Sequence, residues 1–259
     1  MDTALIEQSI FEQLVRYRQF YENFSSLIAR WVSYGARSVV NLDSYVYSSM
    51  QGTLESICDV LKKGRINDAY SLLRKYYDSV ITNVYTNLYF EDSRNVDNHV
   101  VNHIDKWASG KDSLPEYRIM SQYIKSSPKL ASINNLLYSD KTYTEIRTRC
   151  NDHTHYNYFH TLLYNDNEVH LPNRNKLITQ FSEDLTAIFI LHLAYIFYMK
   201  GHYLMSTDYI DAIEYGLTPK DGSEYWVAPF IQEIFDEVIK RNRMDIVMEI
   251  KNNTSMGLA

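Results

Sequence analysis

Cysteine, glycine and proline are all scarce in this chain, and each scarcity removes a class of structure. The two cysteines, Cys58 and Cys150, lie far apart with no CxxC, so neither a disulfide framework nor a paired-thiolate metal site is expected. Eight Gly and five Pro in 259 residues are too few for the many turns of an all-β sandwich. A basic stretch followed by an apolar run is missing after Met1, where Asp2 and Glu7 stand instead; no secretory leader is expected, and a reducing cytoplasm is the default setting. The longest apolar stretch, Leu185 to Met199, is interrupted by Thr186 and His192 and falls short of the roughly 18 residues that a membrane-spanning helix needs. It is expected to be a buried core helix, with no membrane partner. No P-loop, GxGxxG, HExxH or GxSxG occurs, which argues against several common enzyme classes and leaves no cofactor to expect.

The formal charge of −6 argues against indiscriminate binding to nucleic acid or an acidic membrane. The charge is uneven, however. Residues 60–76 carry Lys62, Lys63, Arg65, Arg74 and Lys75 against Asp68 alone. The segment after Leu204 is acidic through Asp208, Asp211, Glu214, Asp221, Glu224, Glu233, Asp236 and Glu237. A polyanion would meet the basic stretch; the region Tyr203 to Glu237 is the candidate surface for a protein partner.

The fold class expected is all-α. Ile6, Ile10, Leu14, Tyr17, Tyr21, Phe24, Ile28 and Trp31 recur at three- and four-residue steps, the signature of one buried helical face, over a helix from about Ala4 to a stop at Gly35. A second helix is expected from Ser44 to Lys63, closed by Gly64, and a third from Ile66 to Phe90 with Asn67 or Asp68 at its cap. Residues 91–127 read as a polar insertion or lid-like connection with only short helices. Helix is expected again from Tyr143 to Leu163, a turn at Asn165-Asp166-Asn167, and a long helix from Pro172 to Lys200. His192 would lie in its apolar core. Residues 1–203 would form the bundle, and 204–259 a helical extension packed on the same domain, including an amphipathic helix from about Trp226 to Arg241.

Chemistry concentrates at Arg147-Thr148-Arg149-Cys150-Asn151-Asp152-His153-Thr154-His155-Tyr156-Asn157. On a regular helix, residues four apart share a face, so Arg149 aligns with His153 and Asn151 with His155. Arg149 and His155 point apart. A joint site of these two needs a helix that begins or bends between them, or a second chain related by a two-fold axis.

This cluster and the earlier run Asn67-Asp68-Ala69-Tyr70-Ser71-Leu72-Leu73-Arg74-Lys75-Tyr76-Tyr77-Asp78 together resemble the HEPN superfamily of helical bundles, in particular its uncharacterised and abortive-infection-type branches. The resemblance covers roughly Ser44 to Lys200. In HEPN ribonucleases four to six residues separate an Arg from a His; five separate Arg149 from His155, and five separate Arg147 from His153. Asn, Asp or His usually follows the Arg in that family, whereas Cys150 and Thr148 follow here. The resemblance implies metal-independent RNA cleavage by a homodimer in a bacterial defence or toxin setting. His155 would be the general acid or base, Arg149 the stabiliser of phosphoryl charge, and Asn151 a positioning group. Arg74, Arg147, Asp152, His153 and Tyr156 would support the site or bind RNA, and a protein inhibitor would be a further partner.

The competing reading is a polar network that orders a helix junction, with Arg74 paired to Asp152, in a non-catalytic interaction or regulatory module. Metal binding by Asp152, His153, His155 and His160 is disfavoured, because none of the histidine pairs has the four-residue step that puts two ligands on one helical face. The 23 tyrosines include Tyr143, Tyr156 and Tyr158 near the cluster, beside Phe159, where rings can stack on bases, but tyrosine runs through every expected core stripe as well. Lys62, Lys63 and Arg65 read equally as a solvated helix end.

Overall fold

In the first helix, α1 (Thr3–Val32), the apolar stripe does what its spacing requires: Ile10, Leu14, Tyr17, Tyr21, Phe24 and Ile28 are all buried. The structure is a computed structural model and describes residues 3–32, 39–93, 101–165 and 173–259. Expectations for Gly35, for the turn beyond Asn165 and for Pro172 lie outside those residues.

Helices α2 (Val39–Lys62) and α3 (Ile66–Ser93) complete a three-helix stack with α1. At its centre the hydroxyls of Tyr21 and Tyr76 are 2.7 Å apart, and the Tyr21 and Tyr47 rings stack at 6.1 Å. Asp43, buried between α2 and α3, accepts from Asn83 Nδ2 and Asn87 Nδ2, each at 2.7 Å. Helix α2 therefore begins earlier than expected from Ser44. Gly64, with φ of 71°, makes the tight turn between α2 and α3, a left-handed conformation that favours glycine.

The start of α3 departs from expectation in an informative way. Neither Asn67 nor Asp68 caps the helix; Asn165 Oδ1 accepts from the backbone N–H groups of Asn67 and Asp68, at 3.0 and 3.4 Å. The cap comes from a residue 98 positions away, which frees the Asn67 side chain for other bonds.

The described part of the polar insertion holds short helices, as expected. Helices α4 (Asn102–Ala108) and α5 (Tyr117–Ser126) are short, and α5 lies on α3, with Tyr117 edge-on to Tyr77 at 5.8 Å and Tyr123 edge-on to Tyr85 at 5.4 Å. Next come α6 (Ala131–Leu137), α7 (Thr142–His155), α8 (Phe159–Leu162) and α9 (Arg174–Met199). The helix expected over Tyr143–Leu163 breaks at Tyr156, whose left-handed backbone (φ 48°, ψ 46°) ends α7.

Beyond α9 lie α10 (Thr207–Glu214), α11 (Pro229–Ile234), a π-helical turn at Phe235–Ile239, α12 (Lys240–Asn242) and α13 (Met244–Asn253). The amphipathic helix thus starts at Pro229 rather than Trp226, since Trp226 is drawn into an extended pairing: its carbonyl accepts from Ser206 N at 2.7 Å, and Ala228 N donates to Leu204 O at 2.9 Å.

The chain forms two compact units. One comprises residues 1–131 and 141–188; the other comprises 132–140 and 189–259. The division falls within α9, whose residues from Phe189 on belong to the second unit. In that second unit Phe197 packs on Phe235 at 6.0 Å, Tyr195 donates to Asn134 Oδ1, and Met256 and Leu258 of the tail are buried. His192 is wholly buried there, and desolvation pushes its imidazole down to about 3. By length and composition α9 passes the test for a membrane-crossing helix, yet 72% of its most apolar window is buried within the protein, as in a core helix. The architecture is all-helical: the described residues contain no β-strand, and the sole pairing of that type is the isolated bridge between Met205 and Val227.

Candidate functional site

Helix α7 runs unbroken from Thr142 to His155, so no bend brings Arg149 and His155 to one face. Arg149 turns toward α9. Its Nε donates to Asp184 Oδ2 at 2.9 Å and its Nη2 to Asp184 Oδ1 at 2.6 Å, a two-pronged match of guanidinium and carboxylate. The Asp184 side chain is 2% exposed and also accepts from Gln180 Nε2 at 3.1 Å and Tyr70 OH at 3.3 Å. This carboxylate holds Arg149 protonated, and burial followed by the Asp184 charge pushes the Tyr70 hydroxyl well above its ordinary value. Cys150 is buried beside the pair, and desolvation drives its thiol up to about 12, which leaves it no thiolate for nucleophilic chemistry at neutral pH.

His153 is likewise committed inward. Its ring stacks on Tyr70 with centroids 4.1 Å apart and planes 8° from parallel. Nδ1 lies 2.6 Å from Asn67 Oδ1, to which it donates; Asn67 Nδ2 in turn donates to the Thr161 carbonyl, tying α3, α7 and α8 together. Burial lowers His153 to about 4, so the imidazole is neutral at physiological pH.

His155 faces outward. It is exposed, and its Nε2 lies 3.2 Å from Arg74 Nη1 on α3. A guanidinium only donates, so in this contact Nε2 accepts. Arg74 is not paired with Asp152, as the network reading expected. Its Nε lies 3.9 Å from Asp78 Oδ2, and Asp78 Oδ1 accepts from Arg147 Nη1 at 2.6 Å. Arg147 also covers the Tyr117 ring, 3.3 Å from its centroid. One carboxylate therefore serves two arginines.

The remaining predicted residues scatter. Asp152 Oδ1 accepts from Asn157 Nδ2 at 2.8 Å, and the Asp152 carbonyl accepts the Asn157 N–H at 3.2 Å, which closes the end of α7. Asn151 Oδ1 is shielded from solvent and has no hydrogen-bond partner. Tyr156 is exposed next to His155. Among the described residues no three His, Cys, Asp or Glu side chains gather as a metal site.

The cluster thus divides into an inner set (Arg149, Cys150, His153), which fastens α7 to its neighbours, and an outer Arg74–His155 couple. Sequence reasoning missed Asp184 and gave Asp78 and Asn67 no role at the cluster. Asp184 borders the apolar run and becomes nearly fully buried, but nothing in the order of residues says which arginine it meets. Chemically, the outer couple places an ionised donor fork beside a proton-carrying ring at the surface.

Comparison with known proteins adds no relative: no family model, curated protein or solved structure matches the chain.

Proposed function

We propose that this chain is a metal-independent endoribonuclease of the HEPN type, acting as a homodimeric toxin or antiphage effector, with His155 as the proton-transfer group and Arg74 as the phosphate-binding cation. The observation that carries the reading is the exposed contact between His155 Nε2 and Arg74 Nη1 at 3.2 Å. When a phosphoryl oxygen takes the Arg74 N–H, Nε2 is released as a base. It removes the proton of a 2′-hydroxyl, that oxygen bonds to the adjacent phosphorus, and the 5′-oxygen leaves with a proton from a second acid. A second copy across a two-fold axis supplies an imidazole for that last step. Arg149 then keeps α7 in register with α9 rather than touching the phosphate.

The second reading, a non-catalytic interaction or regulatory module on the same fold, is favoured by the saturation of Arg149. The arginine that the family motif would use is already neutralised by a buried carboxylate.

The test is cleavage of total RNA and tRNA in excess EDTA, at a concentration where sedimentation shows a dimer. His155→Ala is expected to lower the rate about 10²- to 10⁴-fold and Arg74→Ala about 10²- to 10³-fold, each with the chain still folded by circular dichroism and melting temperature, so that the loss exceeds what a loosened α7–α3 contact explains. Arg149→Lys should slow cleavage only as far as it loosens the fold. A wild-type dimer that cleaves nothing leaves the module reading in place.

A further inference from the structure

The Asn165 cap on α3 brings together two surface features that lie about a hundred residues apart in sequence. Asn165 Oδ1 on the Asn67 N–H, and Asn67 Nδ2 on the Thr161 carbonyl, hold α8 beside the start of α3. The tight turn preceding α3 carries Lys62, Lys63 and Arg65, all exposed. The segment leading into α8 carries Tyr156, Tyr158 and Phe159, which are 44%, 55% and 79% exposed. Tyr45, Tyr215 and Tyr225 are exposed elsewhere, but here three large rings stand open within four consecutive residues, an apolar surface fit for a ligand.

Among the described residues the acids nearby are largely engaged. Asp68 accepts from Asn165 Nδ2 at 2.8 Å, and Asp152 accepts from Asn157 Nδ2 at 2.8 Å. Asp59 reaches only Lys62, at 3.9 Å with both side chains more than half exposed, a weak pair. Lys63 and Arg65 have no ion-pair partner among the described residues. Among the described residues the surface is therefore cationic and aromatic together, inside a chain that is acidic overall.

We infer that Tyr156, Tyr158 and Phe159 form a stacking platform for unpaired nucleobases, and that Lys62, Lys63 and Arg65 track the phosphates of the same single strand on its way to the Arg74–His155 couple. The inference rests on the proposed ribonuclease reading for its ligand and adds the surface that selects it. Aromatic faces accept any base but cannot reach bases stacked inside a duplex, so the platform selects single-stranded RNA. The basic turn contributes affinity without sequence preference and makes it salt-dependent.

The experiment is fluorescence anisotropy of a labelled 12-nucleotide RNA, single-stranded and as a blunt duplex, with the full chain carrying His155→Ala so that binding is read without cleavage. Single-stranded RNA is expected to bind at least tenfold tighter than duplex. Tyr158→Ala and Phe159→Ala should each weaken the single strand by about tenfold, which matches ~1.4 kcal/mol per stacked base, while leaving the melting temperature and duplex binding unchanged. The Lys62→Gln/Lys63→Gln double variant should flatten the salt dependence by about one unit of slope. Equal binding of the two RNAs, ring variants that bind like the parent, or Phe159→Ala acting on self-association rather than on RNA, would overturn the platform. Selective single-strand binding by a wild type that never cleaves would sink the nuclease reading and leave the platform standing.

Discussion

His153 and His155 are two residues apart on one helix, yet their environments give them opposite duties. His153 is pressed between Tyr70 and Asn67 with its imidazole lowered to about 4, whereas His155 stands in solvent against Arg74. Burial makes His153 and His192 levers on stability. The unfolded chain takes up protons at these rings near pH 6.5, and the folded one only near 4 and 3. Between those values the unfolded state holds more protons, so stability is complete above pH 6.5 and falls as the pH falls. Urea unfolding between pH 6.5 and 5, where most carboxylates stay ionised, should show a loss approaching about 1.4 kcal/mol per pH unit for each buried histidine at the lower end of the range. His192→Leu, a fit for the apolar core, should remove one histidine's share of the slope. A flat profile in the wild type would contradict the burial of both rings.

At the scale of elements, α7 is held by a short buried stripe supplemented by polar side chains. Its buried residues are only Tyr143, Ile146, Cys150 and His153, and much of its remaining grip on neighbours is polar: Arg149 to α9, Arg147 and His155 to α3. The Arg149–Asp184 bond has one partner nearly fully buried. Arg149→Ala strands that carboxylate and should cost about 3 to 5 kcal/mol, whereas Arg149→Leu combined with Asp184→Leu should recover much of the loss. The comparison is made by thermal melting of the two single variants and the double variant. Additive losses in the double variant would mean that the two side chains act independently. On the proposed ribonuclease reading, a fall in cleavage on removing Arg149 is expected to track unfolding.

Across the whole molecule, the division into two units falls inside α9, with the first ending at Ile188 and the second beginning at Phe189. Residues after Leu204 belong to the same unit as the end of α9. They supply the covering of Phe197 by Phe235, and the core residues Ile231, Val238, Ile246 and Ile250 belong to the same unit as the end of α9. A chain stopped after Leu204 should leave the apolar second half of α9 without its own unit's core and aggregate on expression, as seen by light scattering of the soluble fraction. A monodisperse, cooperatively melting truncated chain would refute this.

The all-helical class, the buried stripe of α1, the run of α3 and the buried character of α9 were legible in the sequence, because helical periodicity is local and burial follows apolar spacing. The Arg- and His-rich stretch was legible as a concentration of chemistry. Which of its members turn inward was not. That depended on partners remote in sequence: Asp184 for Arg149, Asn67 for His153, Arg74 for His155. The cap of α3 by Asn165, and the tie of α8 to the start of α3 through Asn67 and Thr161, have the same origin. Hydrogen bonds and ion pairs are short-ranged and directional, so only the tertiary structure, by setting which helices touch and in what register, decided which polar groups are used up in holding the fold and which remain for a ligand.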